Sequence, residues 1–122
     1  MSRCESILIV EDDTAIRETI QLLLESEGYN VVTATNGREA IEILHSQSQD
    51  HTCLVLLDLM MAVMSGWEFL ELRKTDVALA PIPVIVVSAV ADQKVKAAGA
   101  TGFIKKPVDL DVLLKIVKQY CG

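Results

Sequence analysis

Cys53-Leu54-Val55-Leu56-Leu57-Asp58 is the stretch of sequence that decides the fold, because an apolar run without a polar break ends in one acid. A continuous apolar run of this length is typical of a strand that is buried on both faces, as in the centre of a parallel sheet. In open α/β sheets, ligands bind outside the carboxyl ends of the strands. The pattern therefore predicts that Asp58 lies at the functional edge of a sheet.

The composition is that of one aliphatic α/β domain. The chain has 122 residues, of which 51% are hydrophobic, but it contains only two Phe, two Tyr and one Trp. A chain of this length can bury a core of its own, so we expect a single domain over residues 1–122. The formal net charge of −6 disfavours direct nucleic-acid binding, because phosphate backbones are bound by clustered Lys and Arg.

The cysteines and the N-terminus indicate a cytoplasmic protein. Cys4, Cys53 and Cys121 form no Cys-x-x-Cys pair, and any disulfide scheme leaves one of them over. Core or tail positions in a reducing compartment are therefore expected. The apolar run from Ile7 to Val10 is too short for a signal peptide or a membrane span, so we expect no membrane partner.

Apolar runs and amphipathic stretches alternate along the chain. Five successive β-then-α units imply a doubly wound parallel sheet with helices on both faces and right-handed crossovers. The predicted strands are 7–10, 29–34, 53–57, 84–87 and 103–105, and the predicted helices are 14–27, 38–45, 67–75, 92–98 and the segment after residue 109.

Helical periodicity assigns the inward faces of two helices. The third helix would bury Leu72 together with Phe69 and Leu70. The last helix would begin after Asp109 as its N-cap and bury Leu110 in the same stripe as residues 113, 114 and 117.

Charged and polar residues follow four of the five predicted strands. Carboxylates held close together need protonation or a cation, and Mg²⁺ suits a few oxygen ligands with room left for phosphate. A lysine adds a point charge for an anion, and a serine hydroxyl can hydrogen-bond it. Together these groups predict a phosphoryl-transfer site. The residues are Glu11, Asp12 and Asp13 after the first strand, Asp58 after the third, Ser88 after the fourth and Lys106 after the fifth.

At these residues the chain resembles the response-regulator receiver domains of two-component signalling, over essentially its whole length. The resemblance rests on four segments in order: Ile-Leu-Ile-Val-Glu-Asp-Asp at 7–13, Leu-Leu-Asp-Leu-Met-Met at 56–61, Ser88-Ala89 and Lys106-Pro107. It implies the flavodoxin-like strand order 2-1-3-4-5. It also implies a self-modifying signalling module rather than an enzyme that turns over an external substrate.

The resemblance implies an acceptor and a metal site. Asp58 would receive the phosphoryl group, and Mg²⁺ would be held by the carboxylates of Glu11, Asp12 and Asp58 with the backbone carbonyl of Met60. Asp13 would be accessory to that site.

The resemblance also implies which groups respond to phosphorylation. Lys106, the Ser88 hydroxyl and the backbone amide of Ala89 would contact the phosphoryl group, and Phe103 would be the aromatic switch. The Lys106–Pro107 peptide bond would be cis. The implied partners are a sensor histidine kinase or a histidine phosphotransfer protein, and a downstream protein or a second copy bound through the face of helix four, strand five and helix five.

Two other functions stay open. A pseudo-receiver would dock partners without phosphorylation. An aspartyl-phosphate hydrolase of the dehalogenase-like class also uses a strand-end Asp, but it requires a second Asp where this chain has Met60. Nucleotide binding is disfavoured because none of the six glycines forms a phosphate-cradling motif.

The chain departs from the usual receiver pattern in several places. Ala62 replaces a common proline and Ser65 a common aspartate, and the segment between Ser88 and the next glycine is shorter by about one helical turn, which predicts a short fourth helix. Met60 and Val90 carry no acid or amide at positions that often orient the attacking water. We therefore expect a long-lived phosphoryl group.

Overall fold

The computed structural model describes residues 6–46, 52–90 and 93–122. Five strands form one parallel sheet in the order β2-β1-β3-β4-β5, and a helix follows each strand in sequence, which confirms the predicted fold class. The elements are β1 (Ser6–Val10), α1 (Thr14–Ser26), β2 (Val31–Ala34), α2 (Gly37–Ser46), β3 (Thr52–Leu57), α3 (Gly66–Thr75), β4 (Val84–Ser88), α4 (Gln93–Ala97), β5 (Gly102–Lys105) and α5 (Leu110–Cys121).

Two apolar clusters cover the two faces of the sheet. Alternate residues of each strand point to opposite faces, so Leu8 and Val10 join one cluster while Ile7 and Ile9 join the other. The first cluster is completed by α2, α3 and α4, and the second by α1 and α5. Because helices cover both faces, the central strands are apolar at successive positions, as the run that ends at Asp58 predicted.

Helix caps agree with the sequence prediction, whereas two predicted core positions are wrong. Asp109 caps α5 by accepting hydrogen bonds from two backbone N–H groups. Leu72 is 44% exposed, because the inward face of α3 is formed by Phe69, Leu70 and Arg73. Leu110 is 38% exposed, because it is the first residue of α5 and lies at the open end of the helix.

The fourth helix is short, as predicted. Within the described residues α4 covers only Gln93–Ala97, and the predicted start at Asp92 lies outside them. Among the described residues, no helix combines the length and apolar content that crossing a bilayer requires.

Two cysteines meet at the edge of the sheet opposite Asp58. The Sγ atoms of Cys53, near the start of β3, and Cys121, at the end of α5, are 2.6 Å apart, and both residues pack against the second apolar cluster. Burial raises the pKa of the Cys121 thiol to about 11, so this thiol is protonated at neutral pH. The expectation of core or tail positions thus resolves for Cys53 and Cys121 into partly buried positions against the core, whereas Cys4 lies outside the described residues.

Arg73 is a buried cation that joins three parts of the chain. Its Nε and Nη2 atoms donate to the Ile82 carbonyl at 3.0 and 2.6 Å, and its Nη1 atom donates to the Gly99 carbonyl at 3.0 Å. Burial lowers the pKa of its guanidinium. Arg73 therefore ties α3 to the segment before β4 and to the corner between α4 and β5.

Replacing Arg73 by Met should lower the free energy of unfolding by about 2–3 kcal/mol, because the apolar volume is kept while buried carbonyls lose their donors. Urea denaturation followed by circular dichroism measures this loss. Lys74→Met is the matched control: Lys74 contacts the exposed Glu71 at 3.3 Å, so its replacement should change stability by less than about 0.5 kcal/mol. Equal effects of the two substitutions would contradict the assignment.

Candidate functional site

Main-chain hydrogen bonds bring the strand ends together at one edge of the sheet. The Asp58 N–H donates to the Val10 carbonyl at 3.0 Å, and the Lys106 N–H donates to the Ser88 carbonyl at 3.1 Å. These bonds continue the parallel pairing one residue beyond the strands. Asp58 therefore lies beside Glu11, which directly follows Val10, and Lys106 lies beside the end of β4.

Three carboxylates converge at this edge. Ligand oxygens of Glu11, Asp12 and Asp58 all lie within 4.8 Å of one another. Glu11 is 2% exposed and Asp58 4% exposed, whereas Asp12 faces solvent. A set of hard oxygen donors with one open side fits Mg²⁺, which binds through a few carboxylates and keeps positions for water or phosphate oxygens.

Lys106 supplies the positive charge between two of these acids. Its Nζ atom lies 2.9 Å from Glu11 Oε1 and 3.6 Å from Asp58 Oδ2. Burial lowers the pKa of Lys106, but the hydrogen bonds and charges of Glu11 and Asp58 outweigh burial, and the pKa lies above its usual value. Lys106 is therefore charged at neutral pH.

Glu11 has the opposite balance. Burial raises its pKa to about 7, the Asp58 charge adds to the rise, and the hydrogen bond and charge of Lys106 only partly oppose it. The ion pair thus keeps Lys106 charged without fully offsetting the burial of Glu11. A bound cation would supply the missing positive charge, which is a second reason why this site fits a metal.

Asp13 has a structural task rather than a place among the clustered acids. Its side chain accepts a hydrogen bond from the Ile16 N–H at 3.0 Å and so caps α1. Its own N–H donates to Glu11 Oε2 at 3.2 Å. Asp13 thus supports the helix and Glu11, while its accessory role toward a metal stays a prediction.

The expected phosphoryl contacts lie on β4 and the turn that follows it. Ser88 is fully buried, and its hydroxyl accepts a hydrogen bond from the Val90 N–H at 3.4 Å. Ala89 and Val90 are exposed in the turn. Phe103 lies on β5 opposite Val86 and packs, partly buried, against the first apolar cluster.

Met60 lies at the mouth of the site. Its backbone N–H donates to Asp58 Oδ1 at 3.3 Å, so Met60 contacts Asp58 through its main chain and not through its side chain. Its side chain is 62% exposed, so Met60 is not part of the core.

The loop after Asp58 approaches the main chain of Asp58 closely at Gly66. A Cβ atom on Gly66 would collide with the Asp58 carbonyl oxygen, and the Gly66 N–H donates to the Leu59 carbonyl at 3.1 Å. Ser65 caps α3 in a reciprocal capping box, so the common aspartate is replaced without loss of the cap. Val63 adopts a φ of 68°, which is strained for a β-branched residue.

Arg17 contacts the site from α1, and no feature of the sequence distinguished it from a solvent-exposed helical arginine. Its Nη1 atom donates to the Glu11 carbonyl at 2.9 Å, and its Nη2 atom lies 3.4 Å from Thr14 Oγ1. The predicted cis peptide bond between Lys106 and Pro107 is present.

Comparison with known proteins agrees with this geometry. The family model described as "Response regulator receiver domain" matches residues 7–118. The polar-differentiation response regulator DivK of Brucella anthropi is 30% identical, over 97% of each chain.

Solved structures include close matches of the same kind. A CheY-like receiver domain protein from Methanospirillum hungatei is 33% identical, with a TM-score of 0.81 over 95% of this chain and 92% of that one. The receiver domain of a signal transduction histidine kinase from Syntrophus aciditrophicus is 34% identical, with a TM-score of 0.83 over 96% of this chain and 89% of that one.

The raised pKa of Glu11 predicts a pH-dependent stability. Between about pH 4.5, its unfolded value, and about pH 7, its folded value, the folded protein binds more protons than the unfolded chain. The free energy of unfolding should therefore receive a contribution from Glu11 that falls as pH rises through this window and levels off above it. Urea denaturation in EDTA across this range measures the slope.

Glu11→Gln should remove that contribution, because glutamine does not titrate. Glu18→Gln, an exposed substitution on α1, is the control and should keep the wild-type profile. A profile that is the same in Glu11→Gln and in the wild type would show that folding does not raise the pKa of Glu11.

Proposed function

The chain belongs to the response regulator receiver domain family, and we propose on that basis that it is a phosphoacceptor switch whose acceptor is Asp58. The observation that most strongly supports the proposal is the placement of Asp58. Its buried carboxylate lies at the carboxyl end of a central strand, 3.6 Å from Lys106 and among two further acids. The proposed phosphoryl donor is a phosphohistidine of a sensor histidine kinase or of a histidine phosphotransfer protein.

The proposed step is a displacement at phosphorus. An oxygen of the Asp58 carboxylate forms a bond to phosphorus while the P–N bond of the phosphohistidine breaks, and the electron pair of that bond stays on the imidazole nitrogen. Lys106 is close enough to place its charge beside the transferred group. Glu11, Asp12, Asp58 and the Met60 carbonyl would hold Mg²⁺, which would neutralise charge on the phosphoryl oxygens.

The proposed output is a change of surface. A phosphoryl group on Asp58 adds charge and strong acceptor oxygens, which Lys106, the Ser88 hydroxyl and the Ala89 amide would answer. Movement at the end of β4 would be passed to Phe103, which pairs with β4 through Val86. The face of α4, β5 and α5 would then bind a downstream protein or a second copy of the chain.

The single sheet supports a single domain over residues 1–122. We infer a cytoplasmic location from the proposed kinase partner.

The hydrolase alternative is disfavoured because Met60, two residues after Asp58, offers no carboxylate. The pseudo-receiver alternative is disfavoured because Lys106 contacts both Asp58 and Glu11, as a working acceptor site requires.

Incubation with acetyl phosphate and Mg²⁺ should add the mass of one phosphoryl group to the wild-type chain and none to Asp58→Asn. Intact-mass spectrometry measures the product, and EDTA should prevent its formation. Asp111→Asn is the matched control, since Asp111 is exposed in the first turn of α5 and should leave phosphorylation unchanged. Absence of a modification that requires Asp58 would favour a pseudo-receiver, and steady release of phosphate from an added substrate would favour a hydrolase.

The phosphoryl group should persist longer in the wild type than in Met60→Glu. Both Met60 and Val90 present apolar, exposed side chains at the site, and neither can orient an attacking water by a strong hydrogen bond. A carboxylate at position 60 could do so. The loss of the phosphoryl mass after removal of acetyl phosphate measures both lifetimes, and equal lifetimes would refute a role of this position.

A further inference from the structure

Glu11 is held by a frame of hydrogen bonds on all of its polar groups. Its N–H donates to the Ala34 carbonyl at 3.0 Å, and its carboxylate receives bonds from Lys106 at 2.9 Å and from the Asp13 N–H at 3.2 Å. Its carbonyl receives the bond from Arg17 at 2.9 Å. Three of these four bonds come from the sheet edge itself or from the turn after β1, and the fourth comes from a side chain on α1.

The Glu11 carbonyl belongs to the peptide unit that joins Glu11 to Asp12. Because a peptide unit is planar, fixing the direction of its carbonyl restrains the plane that contains the Cα atoms of both acids. Glu11 is almost fully buried, so water has little access to replace a lost donor. Arg17 donates to this carbonyl from a side chain, so its loss would remove one restraint on the peptide unit between the two acids.

Arg17 is itself fixed in place. Its backbone N–H donates to the Asp13 carbonyl at 2.9 Å, and its guanidinium also contacts Thr14. The guanidinium thereby spans the turn between β1 and α1 and returns to Glu11, the first residue after β1. It donates to a carbonyl rather than to a carboxylate, so it leaves the oxygens of the acids available for a cation.

We infer that Arg17 is a positioning residue for the metal-binding acids, acting through the peptide unit between Glu11 and Asp12. The inference rests on the proposed function, because it assigns Arg17 a task toward the Mg²⁺ that Glu11, Asp12 and Asp58 would hold. Arg17 contacts neither the metal position nor the phosphoryl group. Its contribution is the geometry of two ligands.

The charge of Arg17 acts in the opposite direction. A guanidinium near three carboxylates repels a divalent cation, so its removal alone would strengthen Mg²⁺ binding. Loss of an outer residue that orients ligands instead weakens metal binding, typically by about 10- to 100-fold. The sign of the change therefore separates positioning from simple electrostatics.

The test is a Mg²⁺ titration of the wild type, Arg17→Met and Arg17→Lys, followed by calorimetry or by amide chemical shifts. Positioning predicts that Arg17→Met binds Mg²⁺ about tenfold more weakly than the wild type. Arg17→Lys, which keeps one donor and the charge, should recover part of the affinity. Arg38→Met, an exposed substitution on α2 with the same change of charge, is the control and should bind as the wild type does.

Other results overturn the inference. Tighter binding by Arg17→Met would show that the charge of Arg17 dominates. Unchanged Mg²⁺ affinity together with a lower midpoint of thermal unfolding in EDTA would show that Arg17 only stabilises the fold. Failure of the wild type to bind Mg²⁺ would overturn the proposed function and this inference together, whereas normal wild-type binding with an unaffected Arg17→Met variant overturns the inference alone.

Discussion

The two ion pairs that Lys106 forms, with Glu11 and with Asp58, are the interactions on which this edge of the sheet depends. Folding brings three carboxylates together, and two of them are buried, so a cation is required among them. The lysine is delivered by the strand next to β4 and is closer to Glu11 than to Asp58. Asp58, the proposed acceptor, is therefore near a positive charge without being fully neutralised by it, and the acids together can still attract a divalent ion.

Much of this arrangement could be predicted from the sequence, because it follows from topology. Asp58, Ser88 and Lys106 each follow an apolar run, and parallel strands that are joined by right-handed crossovers end at the same edge. The helix cap at Asp109 could also be predicted, since capping depends on a local pattern of residue types. For residues at strand ends and helix caps, position along the chain determines position in the fold, so the sequence alone predicted where they lie.

The features that could not be predicted are mostly hydrogen bonds from side chains to backbone carbonyls, which every residue carries. Arg17 and Arg73 donate to backbone carbonyls of distant or irregular segments, and a carbonyl looks the same at every position of the sequence. Periodicity alone also placed Leu72 inward, but Arg73 takes the inward position because its guanidinium finds three hydrogen bonds there. The left-handed backbone of Val63 is likewise imposed by the closure of the loop rather than by the preference of valine.

The residue after Gly66, which lies close to the Asp58 carbonyl, is a tryptophan, and this makes the chain convenient for fluorescence spectroscopy. Trp67 is the single tryptophan of the sequence, it directly follows Gly66, and its ring packs partly buried against the first apolar cluster. All indole fluorescence therefore arises from one environment, next to Gly66, which approaches the main chain of Asp58. The emission of the unlabelled protein therefore reports on this one part of the structure, without background from a second tryptophan.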